Sequence, residues 1–538
     1  MRKLSVLTLI AGLFVLFTSC SKPDQHLSAI PSSAQVVASV DLFNIARKAE
    51  LYDAEQYTFV VEAMEKMKAE NPEMHAFVQE LMKNPLESGL KFREDLYMFV
   101  DHLDNTTFAG ATLSIRNSGD FEKTLNNLLT HAKTDKAIVK KDGLNYVEHK
   151  DLVIVYDDKK ALVVTNEKKN KEELSSYAKL LMTQSEDNAI TSLKTFNEFK
   201  DNTEDFSIWV SSDDMPQTPQ SAMLANSMPF KLTGNYIKFH TKFEDNGIFG
   251  TTKMEYNDEI AAMLKEYELI KTEFNTDLLE YLPEDNYMTY GMAINPTGIY
   301  KWLNDIPSYK AFLDDAKTNA PLNVENLIKS IEGDIIIALH GFQIPENATT
   351  TNPGSVNQNV LPLATAIMSL NDRSVVDQLI GQLQPTGLIQ EANGVYTVSF
   401  FNIKAYFGIF DNNLIFSNDE SIIAAAQNGG MKNNLKDTDL KELFAHPGYM
   451  YMNLNWEKYP MQLTSMLKST MSPKDAKSFL AFANVLKEIR AYNISEKEGR
   501  FEFLMRNTDG NSLHTLLKAI DESQKANKKD GGKPLASN

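Results

Sequence analysis

Cys20 is the only cysteine in the 538 residues. No intrachain disulfide can form, and once residue 20 is set aside neither thiolate catalysis nor a Cys-ligated metal is available to the rest of the chain. The nine histidines (His26, His75, His102, His131, His149, His240, His340, His446 and His514) never fall within one helical turn of each other. A zinc site or a serine triad would have to be assembled in space from distant positions. The acidic clusters Asp201-Asn202-Thr203-Glu204-Asp205 and Ser212-Asp213-Asp214 lack the spacing of a calcium loop and read as solvated turns. The chain has no phosphate-cradling G-x-x-x-x-G-K-[ST], no G-x-G-x-x-G, no H-E-x-x-H and no G-x-S-x-G. Trp209, Trp302 and Trp456 stand at or beside predicted strand-to-helix edges and are expected to pack helix on sheet. No catalytic, cofactor-binding or metal-ligating residue is assigned, and no cofactor is implied.

The chemistry of Cys20 follows from its place. Met1-Arg2-Lys3 is followed by an uncharged run from Leu4 to Phe17 and then Thr18-Ser19. A basic start, a short apolar run and small residues before a cut form a secretory signal peptide, too short to span a bilayer. The end of the run resembles the bacterial lipobox, with Phe17 where leucine is usual. Residues 1–19 are therefore expected to be removed and Cys20 to carry lipid, with residues 20–29 as a tether and the membrane as a partner through that lipid. Two or more acyl chains anchor stably where one binds only marginally.

Without residues 1–19, 52 basic and 72 acidic residues remain, a formal charge of −20. That balance disfavours nucleic acid and unassisted approach to anionic lipid. With 43% hydrophobic and 10% aromatic residues the composition is globular, and no second apolar run approaches 18 residues.

The elements repeat. Ile30-Pro31 and the run Val36–Val40 are echoed by Leu282-Pro283 and the run from Met288, with the prolines 252 apart. Gly143 and Gly394 are 251 apart, Asn166 and Asn418 are 252 apart, and the closing hairpins around Asn246-Gly247 and Glu498-Gly499 again differ by 252. One such match is weak, because turns everywhere favour Gly, Asn and Asp. A constant offset in constant order is not. Drifts mark insertions: Asp95-Leu96-Tyr97 and Asp334-Ile335-Ile336 are 239 apart because the helical stretch from Tyr52 to Pro85 is the longer one, and Phe206 and Tyr449 are 243 apart.

Within each copy the alternation predicts strand, helix, strand pair, helix, strand pair, helix, strand, then a hairpin and a short helix. Ser118 is read as a helix cap, and Val375, Leu379 and Leu383 as a stripe following Asn371. The fold class is α+β, two tandem homologous domains at 30–270 and 275–521, each a largely antiparallel sheet with helices packed on it. Residues 522–538, rich in lysine, are expected to be disordered, and residues 341–360, with Thr349–Thr351 and Pro353-Gly354, to form an exposed hairpin tip.

From Ile30-Pro31-Ser32-Ser33-Ala34-Gln35-Val36-Val37-Ala38-Ser39-Val40-Asp41-Leu42, through Ile45-Ala46-Arg47-Lys48-Ala49, Asn84-Pro85 to Gly89 and the strand from Asp95, the chain resembles a family of Bacteroidetes cell-envelope lipoproteins of about 500 residues built on a domain of unknown function. The resemblance implies an envelope location, with the outer membrane expected, and carries no activity. The expected function is non-enzymatic, binding or structural, with a protein or small ligand taken in an inter-domain cleft. The alternatives are an envelope hydrolase whose residues converge only in space, and a SusD-like glycan-capture lipoprotein, against which the strand-rich repeat argues.

Overall fold

The computed structural model describes residues 25–104, 106–134, 136–149, 151–213, 230–319, 324–343, 360–400, 403–506 and 510–529. Cys20, the signal segment 1–19 and most of the expected tip at 341–360 lie outside them. The architecture is α+β, as the alternation of periods predicts.

The chain divides into two compact units, one taking the described residues to Asn257, apart from Phe230, and those from 510 onward, the other Phe230 and residues 258–506. The first contains β1 (Val36–Val40), β2 (Leu96–Leu103), β3 (Thr106–Ser114), β4 (Val139–Lys141), β5 (Leu144–His149), β6 (Leu152–Tyr156), β7 (Lys160–Asn166), β8 (Phe206–Ser211), β9 (Tyr236–Glu244) and β10 (Gly247–Glu255). They pair antiparallel in the order β4-β5-β6-β7-β3-β2-β1-β8-β9-β10.

The second unit contains β11 (Met288–Ala293), β12 (Ile331–Gln343), β13 (Leu361–Leu370), β14 (Ile389–Ala392), β15 (Val395–Phe400), β16 (Ile403–Phe410), β17 (Asn413–Ser417), β18 (Gly448–Asn453), β19 (Leu486–Asn493) and β20 (Glu498–Met505). Their order is β14-β15-β16-β17-β13-β12-β11-β18-β19-β20, again antiparallel throughout. Every strand of one unit has its counterpart ten strands on in the other. Each sheet has four strands where the alternation pattern gives one pair, because the short β4 and β14 complete a run of two hairpins.

Turn chemistry fixes this register locally. Asp142 and Gly143 have φ of 54° and 80°, Asn393 and Gly394 54° and 78°. Positive φ at both central residues is the turn whose twist matches a two-residue hairpin, and Asp, Asn and Gly are the residues that adopt it. Pro31 and Pro283 each form an isolated bridge, to Ala189 and Asn434.

Each sheet buries one face in its main core. In the first unit Val37, Tyr97, Phe99 and Trp209 meet Leu174, Tyr177 and Leu181 of the helix Lys171–Thr183 and Phe196 of the helix Lys194–Lys200. In the second, Ile336, Ile367, Ile415 and Tyr449 meet Ile422 and Ile423 of the helix Glu420–Gln427. A smaller core lies on the opposite face of each, under the helices Ser118–His131 and Ser374–Leu383. The first of these helices is capped by Asn117, whose side chain accepts from Asp120 N at 3.0 Å, and not by Ser118.

The C-terminus departs from expectation. The helix Ser512–Lys529 extends through residues expected to be disordered, with Ser523 buried, and belongs to the first unit and not to the second. The helix Asp258–Tyr267, which follows β10, belongs to the second unit. There Tyr267 Oη donates to Asp305 at 2.7 Å and the Tyr267 carbonyl lies against Gly298. The boundary of the first unit therefore falls at residue 257 and not at 270. A closing helix has to be placed by long-range packing, and nothing in its local sequence says which sheet receives it.

Candidate functional site

Acid, imidazole and hydroxyl converge once in each unit, and the second unit's set spans three adjacent strands. His340 sits near the end of β12 with its ring buried, and its Nε2 shares a hydrogen bond of 2.9 Å with Thr365 Oγ1 on β13. Thr365 Oγ1 is 2.8 Å from Ser417 Oγ on β17, and Asp419 N donates to that oxygen at 3.1 Å. Asp419 Oδ2 stands 3.9 Å from His340 Nδ1, beyond hydrogen-bond reach, while its Oδ1 accepts from Ser421 N and caps the helix Glu420–Gln427. Burial holds the imidazole pKa below its ordinary value, although the Asp419 carboxylate pulls the other way. A neutral imidazole beside a hydroxyl is the pairing a general base needs. Thr365 and Ser417, however, are 1% and 0% exposed, so neither hydroxyl is open to a substrate. The arrangement ties three adjacent strands together.

The first unit has a second convergence. His26 lies in the 3-10 turn Gln25–Ala29, fully buried. Its Nδ1 is 2.7 Å from Ser114 Oγ and its Nε2 3.0 Å from the Asp95 carbonyl oxygen. Ser114 donates to Glu94, which Lys91 also meets at 3.2 Å. Ser114 is buried too, so this serine, histidine and glutamate form a closed network. At the pairing-equivalent of His340 the first unit has Asp101 on β2. Its buried carboxylate accepts from Tyr177 Oη at 2.6 Å and Ser33 Oγ at 2.8 Å. Sequence reasoning missed these networks because the contacts that His26 and Asp101 make join residues 68 to 88 apart. The one local hint is polar residues on strand positions whose neighbours alternate into the core.

The remaining candidates stay apart. His240 stacks on Phe199 at 5.3 Å and His446 on Tyr492 at 4.4 Å, and burial lowers the pKa of both. His131 lies against Phe77, and His514 shares a 2.8 Å hydrogen bond with Tyr57 Oη. Asp205 pairs with Lys48 at 2.5 Å, and Asp213 accepts from Gly234 N at 2.6 Å and Tyr236 Oη at 2.8 Å. No group of three His, Asp or Glu able to hold a metal occurs among the described residues. Trp209 is fully buried in the middle of β8. Trp302 lies inside the helix Pro296–Asp305, and Trp456 stacks on Tyr459 at 4.4 Å.

One surface stands out from the residues up. Tyr290, Ile337, Ala366 and Phe416 are directly opposed on β11, β12, β13 and β17, on the face away from the main core. Tyr290, Ile337 and Phe416 are 42%, 47% and 44% exposed. Adjacent exposed side chains of this size form an apolar patch suited to contact and not to proton transfer. The equivalent row of the first unit is Ala38, Met98, Ala111 and Val163, with alanine and valine where the second unit has Tyr290 and Phe416.

No curated protein matches the chain. Among solved structures it is similar to crystal forms IV, III and I of TP0453, each at 12% identity and a TM-score of 0.24. The matches cover 45%, 48% and 46% of this chain and 85%, 90% and 86% of those. The family model described as Domain of unknown function (DUF4836) matches residues 27–513, from the buried turn beside His26 to the start of the last helix, and the chain belongs to that family.

Proposed function

We propose that the protein is a Bacteroidetes cell-envelope lipoprotein, anchored through acylated Cys20 in the outer membrane, whose folded body works by binding or as a structural part and not by catalysis. The observation that carries this reading is the solitary cysteine at the end of a signal-type apolar run, five residues before the first described residue. The exposed row Tyr290, Ile337 and Phe416 supports a binding role, because solvent-facing apolar patches on folded proteins serve contacts. No described helix is long and apolar enough to cross a membrane, so attachment in this reading falls to the lipid.

Metabolic labelling with an alkyne fatty acid tests the anchor. Wild type should incorporate label and fractionate with outer membranes, and Cys20→Ser should lose the label while keeping the fold. Label retained by Cys20→Ser overturns the assignment. For the binding role, Ile337→Lys should abolish the cross-links that wild type forms in cells. A cross-link pattern indifferent to that charge removes the patch from the argument.

A further inference from the structure

Resting on the reading of Cys20 as the anchor, we infer that the folded body is held directly against the surface of the bilayer that carries its lipid, at the rim of the first unit where Gln25 enters. The chain between anchor and fold is very short. From Cys20 to Gln25 there are five residue steps, which at full extension reach about 18 Å.

The entry point is fixed and does not fray. His26, Leu27, Ala29 and Ile30 are fully buried in the first unit. Both His26 ring nitrogens are engaged, to Ser114 and the Asp95 carbonyl, and its own carbonyl accepts from Thr112 Oγ1 at 3.0 Å. Gln184 Nε2 donates to the Ser28 and Ile30 carbonyls at 2.8 and 3.1 Å. Lys160 Nζ donates to Ser28 Oγ at 2.6 Å. Ser32 N donates to the Asn188 carbonyl at 2.8 Å.

Four separate parts of the first unit thus hold this turn: the start of β2, β3, the turn leading into β7, and the chain after the helix Lys171–Thr183. Slack cannot be borrowed from residues 26–32 without breaking that set. An acylated cysteine sits at headgroup depth, so Gln25 lies within about 18 Å of it, and the rim that continues from Gln25 runs through Ser28 to its partner Lys160 and the adjoining Lys159. A flexible linker of about 25 residues would instead give an r.m.s. span of about 25–30 Å, with far longer excursions. A body of formal charge −20 is not drawn to anionic lipid, so the tether and not electrostatics keeps it there.

The test uses the full-length lipidated protein, purified from membranes and reconstituted in phosphatidylcholine vesicles containing headgroup spin-labelled lipid. A fluorophore is placed at Lys159→Cys. Native tether length should give strong quenching, and insertion of 20 Gly/Ser residues between Asp24 and Gln25 should reduce it several-fold. Replacing a fifth of the lipid by phosphatidylglycerol should leave both values unchanged. Weak quenching at native length, or quenching indifferent to the insertion, overturns the inference while fatty-acid label on the same preparation leaves the anchor intact. Absence of label and of vesicle flotation overturns the anchor and this inference together.

Discussion

Tyr449 is 2% exposed, and its hydroxyl has no hydrogen-bond partner among the described residues. Burial drives its pKa well above the ordinary value, so the group is a neutral phenol throughout the physiological range. A buried hydroxyl without a partner forfeits the hydrogen bonds it had with water, at about 1–3 kcal/mol. Tyr449→Phe keeps the ring between Phe274 and Phe444 and removes that penalty, so the fold should be as stable or more stable, by up to about 3 kcal/mol, and unfold at an equal or higher temperature. A loss of stability would show that the hydroxyl has a partner. His340 makes the opposite kind of prediction. Its folded pKa is lowered, so below the ordinary value of about 6.5 the unfolded chain binds a proton that the folded chain resists. Stability should therefore be level above that pH and fall as pH drops below it. The lowered values of His240 and His446 act in the same direction. His340→Gln retains a partner for Thr365 and should flatten part of the decline. An unchanged slope would remove His340 as its source.

Two glycines show how the strands depend on side chains their neighbours supply. Gly110 on β3 faces Phe99 on β2, and a Cβ there would lie 2.2 Å from the ring. Gly291 on β11 faces Tyr449 on β18, where the same atom would lie 2.1 Å from the ring. In each pair the aromatic ring covers the glycine, which offsets the weakness glycine brings to a strand. Gly110→Ala should cost about 1–3 kcal/mol by overpacking, and Phe99→Leu in the same chain should recover part of it. Gly381 is the contrast: it lies in the helix Ser374–Leu383 with open space where a Cβ would go, and Gly381→Ala should add about 0.5–1 kcal/mol. Equal effects at the two sites in urea titrations would contradict this account. Such pairs are invisible in sequence, since glycine in a strand pattern reads equally as a bulge or a close approach. The hairpins were legible, because Asp142-Gly143 and Asn393-Gly394 need a backbone conformation that few residues adopt.

The same turn residues made the repeat legible at the scale of the molecule, where a shared strand order ten strands apart stands behind the constant spacing. Insertions shifted the spacing without changing the pairing. The match of Phe206 with Tyr449 is one residue off, since Phe206 faces Val40 and Gly448 faces Met292. The assignment of the closing helices was not legible. The helix Asp258–Tyr267 directly follows the last strand of the first unit yet belongs to the second, and the helix Ser512–Lys529 follows the last strand of the second yet belongs to the first. The apolar stripe of the latter, Leu513, Leu516, Leu517 and Ile520, announces a helix but is only half-buried, and the buried positions are Ser512, His514, Thr515, Ala519, Asp521 and Ser523, so the stripe does not say where the helix docks. Its hold is specific: Asp521 accepts from Phe59 N at 3.1 Å and Thr58 Oγ1 at 3.2 Å, capping the helix Thr58–Glu70, whose own N-cap residue Tyr57 makes no side-chain cap. Tyr57 in turn is bound by His514 and by the Ala49 carbonyl. The first unit is therefore discontinuous in sequence and complete only when the chain returns. A chain ending at residue 506 should lose amide protection across 42–70 while the second unit's strands β11, β12, β13 and β18 keep theirs. Loss of the cap alone in Asp521→Ala should be milder, about 1–2 kcal/mol. Hydrogen exchange distinguishes the outcomes, and undiminished protection at 42–70 in the shortened chain would mean that the final helix rests on the first unit without supporting it.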